Sequence, residues 1–84
     1  MMRILIADDH AVVRKGMIQV LFAAGMDIEP VEASSGHEAL ELVRSQRFDM
    51  VLLDISMPGK NGVEVLKQIK RELPKLPVLI LSMY

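Results

Sequence analysis

The hydrophobic pattern of this chain switches repeatedly between short solid apolar runs and longer stretches of period 3.6. Arg3-Ile4-Leu5-Ile6-Ala7 is an apolar run that ends in Asp8-Asp9 and predicts a strand. From His10 to Ala24 the period is helical, with Val13, Met17, Val20, Leu21 and Ala24 on one face. Asp9 stands where that helix needs an N-cap, and Gly25 suits its C′ position. Ile28 to Ala33 predicts a second strand; Pro30 cannot donate a ladder hydrogen bond, which places this strand at a sheet edge. Ser35-Gly36-His37-Glu38 matches a capping box, followed by Ala39, Leu40 and Val43 on one helical face. Asp49 to Leu53 predicts a third strand, and Met50-Val51-Leu52-Leu53 lacks polar alternation, as in a strand buried on both faces. Pro58-Gly59 and Asn61-Gly62 mark a loop from Asp54 to Gly62. Asn61 then caps a third helix whose apolar stripe is Leu66, Ile69 and Leu73. Pro74-Lys75-Leu76-Pro77 stops it, and Val78 to Leu81 is a fourth apolar strand.

The order is β-α-β-α-β-α-β, which predicts an α/β fold with a parallel sheet and helices on both faces. With strand 2 at an edge, the strand order is 2-1-3-4, the flavodoxin-like doubly wound arrangement. In that order the chain reverses direction between strands 1 and 3. Ligands of such sheets bind at this point, outside the carboxyl ends of the strands.

Composition narrows the function classes. The chain has 84 residues, 10 Lys+Arg against 11 Asp+Glu, and a net charge of −1, so no strong field steers it to nucleic acid or anionic membrane. Zero Cys removes disulfides, thiolate nucleophiles and Cys-based metal sites, and two His leave little room for a His-based zinc site. The apolar start from Met1 to Ala7 is too short for a secretion signal, and no apolar run reaches the ~18 residues of a membrane span. The expectation is one small cytoplasmic domain.

The predicted topology brings Asp8 and Asp9 at the end of strand 1, Asp54 at the end of strand 3 and Ser82 at the end of strand 4 to one rim. Clustered carboxylates repel, so either a proton is retained or a cation neutralises them. Oxygen-only ligands at a partly solvated rim suit Mg²⁺. Beside such a cation, Asp54 can act as an in-line nucleophile towards a phosphoryl group, and Ser82 can hydrogen-bond a phosphoryl oxygen. Each residue also has an ordinary structural use: Asp9 as a helix cap, Asp54 as a turn residue, Ser82 as a strand-end serine. His10 reads as a first-turn helix residue and not as a ligand. Nucleotide-binding enzymes are disfavoured, because no Gly-rich phosphate loop is present.

Asp8-Asp9, Leu52-Leu53-Asp54-Ile55-Ser56-Met57-Pro58-Gly59-Lys60-Asn61-Gly62 and Leu79-Ile80-Leu81-Ser82 together resemble the receiver domain of two-component response regulators. Asp8-Asp9-His10 and Ser82-Met83-Tyr84 look most like the subclass with a C-terminal LuxR-type helix-turn-helix. The resemblance implies that Asp54 is the phosphoacceptor, served by a sensor histidine kinase. It implies that Asp8, Asp9, Asp54 and the backbone carbonyl of Ser56 hold Mg²⁺, and that Ser82 is the switch hydroxyl. Ser56 and Tyr84 would tune hydrolysis of the phosphoryl group. The family continues with a fourth helix, a fifth strand carrying a Lys, and a fifth helix. Residues 1–84 are therefore expected to be a receiver domain incomplete at its C-terminus. Three expectations follow from that: weak phosphotransfer without the Lys, DNA contact only through a domain beyond this chain, and self-association through the open edge of strand 4. The alternative is a non-phosphorylatable fragment acting as a binding or assembly module. An Asp-nucleophile phosphatase would want an acid where Ser56 stands.

Overall fold

A computed structural model describes residues 1–55, 57 and 62–81 of the chain. The elements run β1 (Met2–Ala7), α1 (Ala11–Ala23), β2 (Ile28–Ala33), α2 (Gly36–Ser45), β3 (Met50–Asp54), α3 (Gly62–Glu72) and β4 (Val78–Leu81). All pairings are parallel and the order is β2-β1-β3-β4, as the sequence pattern predicts.

Side chains along β1 and β3 alternate between the two faces of the sheet. Leu5, Ala7, Val51 and Leu53 point to the side covered by α2 and α3, where they pack with Ala39, Leu40, Val43, Val65 and Ile69. Ile4, Ile6 and Leu52 point to the α1 side, where the buried cluster is completed by Ile28. Burial of β3 on both faces matches its unbroken apolar run. Pro30 sits in β2 at the sheet edge, level with Ile4 of β1, where its missing N–H leaves the ladder intact.

Local signals set the helix ends. Ser35 Oγ accepts from Glu38 N at 3.1 Å. The reciprocal bond reaches one residue further back than a capping box specifies, Ser34 N donating to Glu38 Oε1 at 2.6 Å. Gly25 has φ 81° and closes α1: its N–H donates to Phe22 O, and Met26 N–H donates to Leu21 O, a Schellman pair. Met26 and Leu21 also meet in the α1-side cluster.

Three sequence expectations need correction. The N-cap of α1 is His10, not Asp9, and its side chain makes no capping bond. The reason is that the sheet pairing continues one residue beyond β1, with Asp8 N donating to Ala33 O at 3.0 Å, which delays the helix start. The inward face of α1 is Met17, Ile18 and Leu21, whereas Val20 is 67% exposed. The stripe of α3 is Val65 and Ile69 with Leu66 partly covered, and Leu73, one residue past the helix end at Glu72, is exposed. The Asn61 cap and the Pro58-Gly59 turn lie outside the described residues.

Candidate metal centre

The parallel strands end together, and their carboxyl ends carry the acids. Asp8 follows β1 directly and Asp54 is the last residue of β3; each is 1% exposed. Asp9 is partly covered, at 25% side-chain exposure. Among the described residues, Asp8, Asp9, His10 and Asp54 each offer a ligand atom, all within 4.8 Å of one another. The sheet order therefore brings Asp8, Asp9 and Asp54 together. Ser56 and Ser82, the other two site residues expected from sequence, lie outside the described residues.

Backbone bonds hold this rim. Asp8 N is tied to β2 through Ala33 O, and Asp8 O accepts from the Arg14 guanidinium at 2.6 Å. Arg14 is held in turn by Glu32 of β2, Nε to Oε1 at 2.8 Å, and Lys15 Nζ reaches Glu32 Oε2 at 2.7 Å. These two cations depress the Glu32 pKa, the Lys15 hydrogen bond most and the Arg14 bond next. At the other strand, Gly62 N donates to Ile55 O at 3.1 Å, which seats α3 against the end of β3. A Cβ on Gly62 would stand 2.2 Å from Ile55 Cα and 2.6 Å from Asp54 O. Glycine is required there by close backbone approach.

Sequence reasoning missed His10 as a member of this cluster. Its backbone N–H donates to Asp8 Oδ1 at 2.8 Å, and its ring Nδ1 lies 3.0 Å from the same oxygen. Nδ1 also lies 2.8 Å from Asp9 Oδ1, an oxygen buried without a hydrogen-bond partner among the described residues. The hydrogen bond to Asp8 raises the His10 pKa first, and the charge of Asp9 adds to it. The available signal was its position immediately after two acids at a strand end; the absence of a second His had argued against a ligand.

The donor set fits a hard divalent cation. Carboxylate oxygens of Asp8, Asp9 and Asp54 lie close together, with the exposed His10 ring beside them. Such a grouping favours Mg²⁺-type ligation by oxygen, with remaining positions open to water or a phosphoryl oxygen.

The comparisons with known proteins agree with this geometry. Residues 4–84 match the family described as response regulator receiver domain. The uncharacterised transcriptional regulatory protein YhcZ of Bacillus subtilis is 43% identical over 99% of this chain, which covers 39% of YhcZ. The oxygen regulatory protein NreC of Staphylococcus haemolyticus is 40% identical over 99% of the chain, again 39% of the relative. The chain thus spans about two-fifths of the length of these curated relatives. Among solved structures, the response regulator TrrA of Thermotoga maritima in complex with Mg²⁺-BeF superposes with a TM-score of 0.93 at 36% identity, covering all of this chain and 71% of that one. TrrA is also similar in its complex with the histidine kinase ThkA, with a TM-score of 0.85. Sequence, fold and site agree, and the chain belongs to the response regulator receiver domain family.

Proposed function

We propose that this chain accepts a phosphoryl group on Asp54 from a phosphohistidine of a sensor histidine kinase. The observation that carries this reading is Asp54, buried at the end of β3 within 4.8 Å of ligand atoms from Asp8 and Asp9. A carboxylate oxygen of Asp54 attacks phosphorus, the P–N bond to the kinase imidazole breaks, and an acyl phosphate forms. Asp8, Asp9, Asp54 and the Ser56 carbonyl hold Mg²⁺, which supplies charge neutralisation when bound. Ser82 contributes the hydroxyl that hydrogen-bonds the phosphoryl group and transmits its presence to the surface.

On this reading the chain is a regulatory phosphoacceptor, and any catalysis acts on its own phosphoryl group. The TrrA structures with Mg²⁺-BeF and with ThkA support the metal and the kinase as partners. Residues 1–84 serve as the larger part of a receiver unit in the cytoplasm. Transcriptional output runs through a LuxR-type DNA-binding domain outside this chain, a reading supported by the regulatory relatives. Two copies of the chain associate through β4, which pairs with β3 and with no other strand among the described residues.

The test is a Mg²⁺ titration followed by amide shifts, then a small phosphodonor followed by intact mass. Saturable shifts at Asp9 and Asp54, with a phosphoryl mass gain lost in Asp54→Asn, are expected. A wild-type chain that neither shifts with Mg²⁺ nor gains mass would refute the proposal.

A further inference from the structure

We propose that His10 is a fourth ligand in this acid cluster, opening the pocket to divalent transition metals such as Zn²⁺ as well as Mg²⁺. The inference rests on the phosphoacceptor reading above, since it uses the same carboxylates. Its basis is the placement of the His10 ring. In an octahedral site with ligands ~2.1 Å from the ion, neighbouring ligand atoms lie ~3 Å apart and opposite ones ~4 Å apart. Nδ1 of His10 is 3.0 Å from Asp8 Oδ1 and 2.8 Å from Asp9 Oδ1, hydrogen-bonding distances that also equal the edges of such a polyhedron, so an ion can replace the shared proton without moving the ring far. The four ligand atoms, Asp54 included, lie within 4.8 Å of one another, a spread that closes by less than an ångström to the ~4 Å span of one ion's shell.

The ring is delivered by a fixed stretch of backbone. Asp8 N is bonded to Ala33 O, Asp8 O to Arg14, and His10 N to Asp8 Oδ1. To take a shared cation, Nδ1 releases the proton it donates to Asp8, either to solvent or by adopting the Nε2–H tautomer, while the ring stays in place. The two metals use the ring differently. Mg²⁺ prefers oxygen and keeps its waters, so it binds the carboxylates and leaves the imidazole aside. Zn²⁺ and its neighbours accept imidazole nitrogen readily. His10 therefore adds affinity for one class of cation and almost none for the other. The pocket is then a mixed nitrogen–oxygen site at which transition metals compete with Mg²⁺ for the carboxylates that surround Asp54.

The experiment titrates the full chain separately with Zn²⁺ and Mg²⁺ by calorimetry, in wild type, His10→Gln, His37→Gln and Asp54→Asn, and follows the imidazole nitrogens by NMR. His10→Gln is expected to weaken Zn²⁺ about tenfold or more while changing Mg²⁺ by less than about twofold, as for loss of one ligand among several. His37→Gln, the control for the other histidine, is expected to change neither metal. The Nδ1 resonance of His10 should move with Zn²⁺ and stay in place with Mg²⁺. Equal Zn²⁺ affinity in wild type and His10→Gln, or an unmoved His10 resonance, overturns the inference while Mg²⁺ binding keeps the phosphoacceptor reading intact. If Asp54→Asn leaves both metals unaffected, the acid cluster is not the site and both proposals fall. His10 is 60% exposed at its side chain, so the glutamine variant disturbs no packing.

Discussion

The two ends of the sheet treat charge in opposite ways. At the amino end, Arg3 of β1 is met on every side. Its Nε donates to Glu29 Oε2 at 3.2 Å, one terminal nitrogen to Arg47 O at 3.0 Å, and the other to Gln46 Oε1 at 2.6 Å. The guanidinium also lies over the Phe48 ring, 5.1 Å from its centroid, and Arg3 N donates to Asp49 Oδ2 at 2.8 Å. Nearby, Arg44 and Glu72 join α2 to α3 through a two-bond fork of 2.9 and 2.7 Å. At the carboxyl end, Asp8, Asp9 and Asp54 are gathered instead, and a single exposed imidazole stands among them. One rim satisfies its charges and ties elements together. Among the described residues the other concentrates three carboxylates beside one imidazole, an arrangement that favours a bound cation.

This contrast can be broken most forcefully at Gly62. Alanine there would drive a Cβ into Ile55 Cα and Asp54 O, so the acidic rim should lose its backbone frame. A destabilisation of about 2–3 kcal/mol is expected from overpacking against main chain, read as a lower urea midpoint. Arg3→Ala comes next, and tests whether the amino rim stabilises. Losing the fork of hydrogen bonds and the ring contact is expected to cost about 1–2 kcal/mol, with no change in Mg²⁺ affinity. A variant as stable as wild type would show that the Arg3 contacts hold nothing together.

Asp54→Asn sharpens the other half. Removing one of several adjacent carboxylates is expected to raise stability by about 1 kcal/mol in metal-free buffer and to abolish the Mg²⁺-induced shifts. Reduced stability in metal-free buffer would mean that this rim is not under electrostatic strain. The smallest effect belongs to Glu72, whose pKa the Arg44 hydrogen bond lowers from 4.5 to about 2. A depressed carboxylate contributes its stabilisation above the unfolded value, and loses it as pH falls from there through the folded value. The α2–α3 link should therefore weaken between about pH 4.5 and 2 and be unaffected above that range. A carboxyl NMR titration checks this; Arg44→Gln should return Glu72 towards its ordinary value.

Much of this was legible because it is encoded locally. Pro30 marks an edge strand by lacking a donor, Gly25 closes α1 by adopting φ 81°, and Ser35 caps α2 through Glu38 N. The convergence of Asp8, Asp9 and Asp54 followed once the strand order was known. The features that escaped depend on distance in the chain or on a small shift in phase. Arg3 gathers partners from residues 29 and 46–49, which no periodicity connects. Val20 belongs to an apolar stripe, yet the face of α1 that packs on the sheet carries Ile18 beside Met17 and Leu21 and leaves Val20 exposed. His10 joined the acids only because the helix began one residue later than the sequence suggested.

The position of Pro30 also limits how copies of this sheet can combine. An edge strand interrupted by proline and bearing Glu29 and Glu32 is a poor template for a neighbour, whereas β4 presents Leu79 at 55% exposure. The β4 association proposed above would therefore find no competing template at β2. Two identical edges meeting each other are related by a two-fold axis and use up both partners' open strand. The proposed contact would close at the dimer, because the proline-bearing β2 edge does not template further pairing.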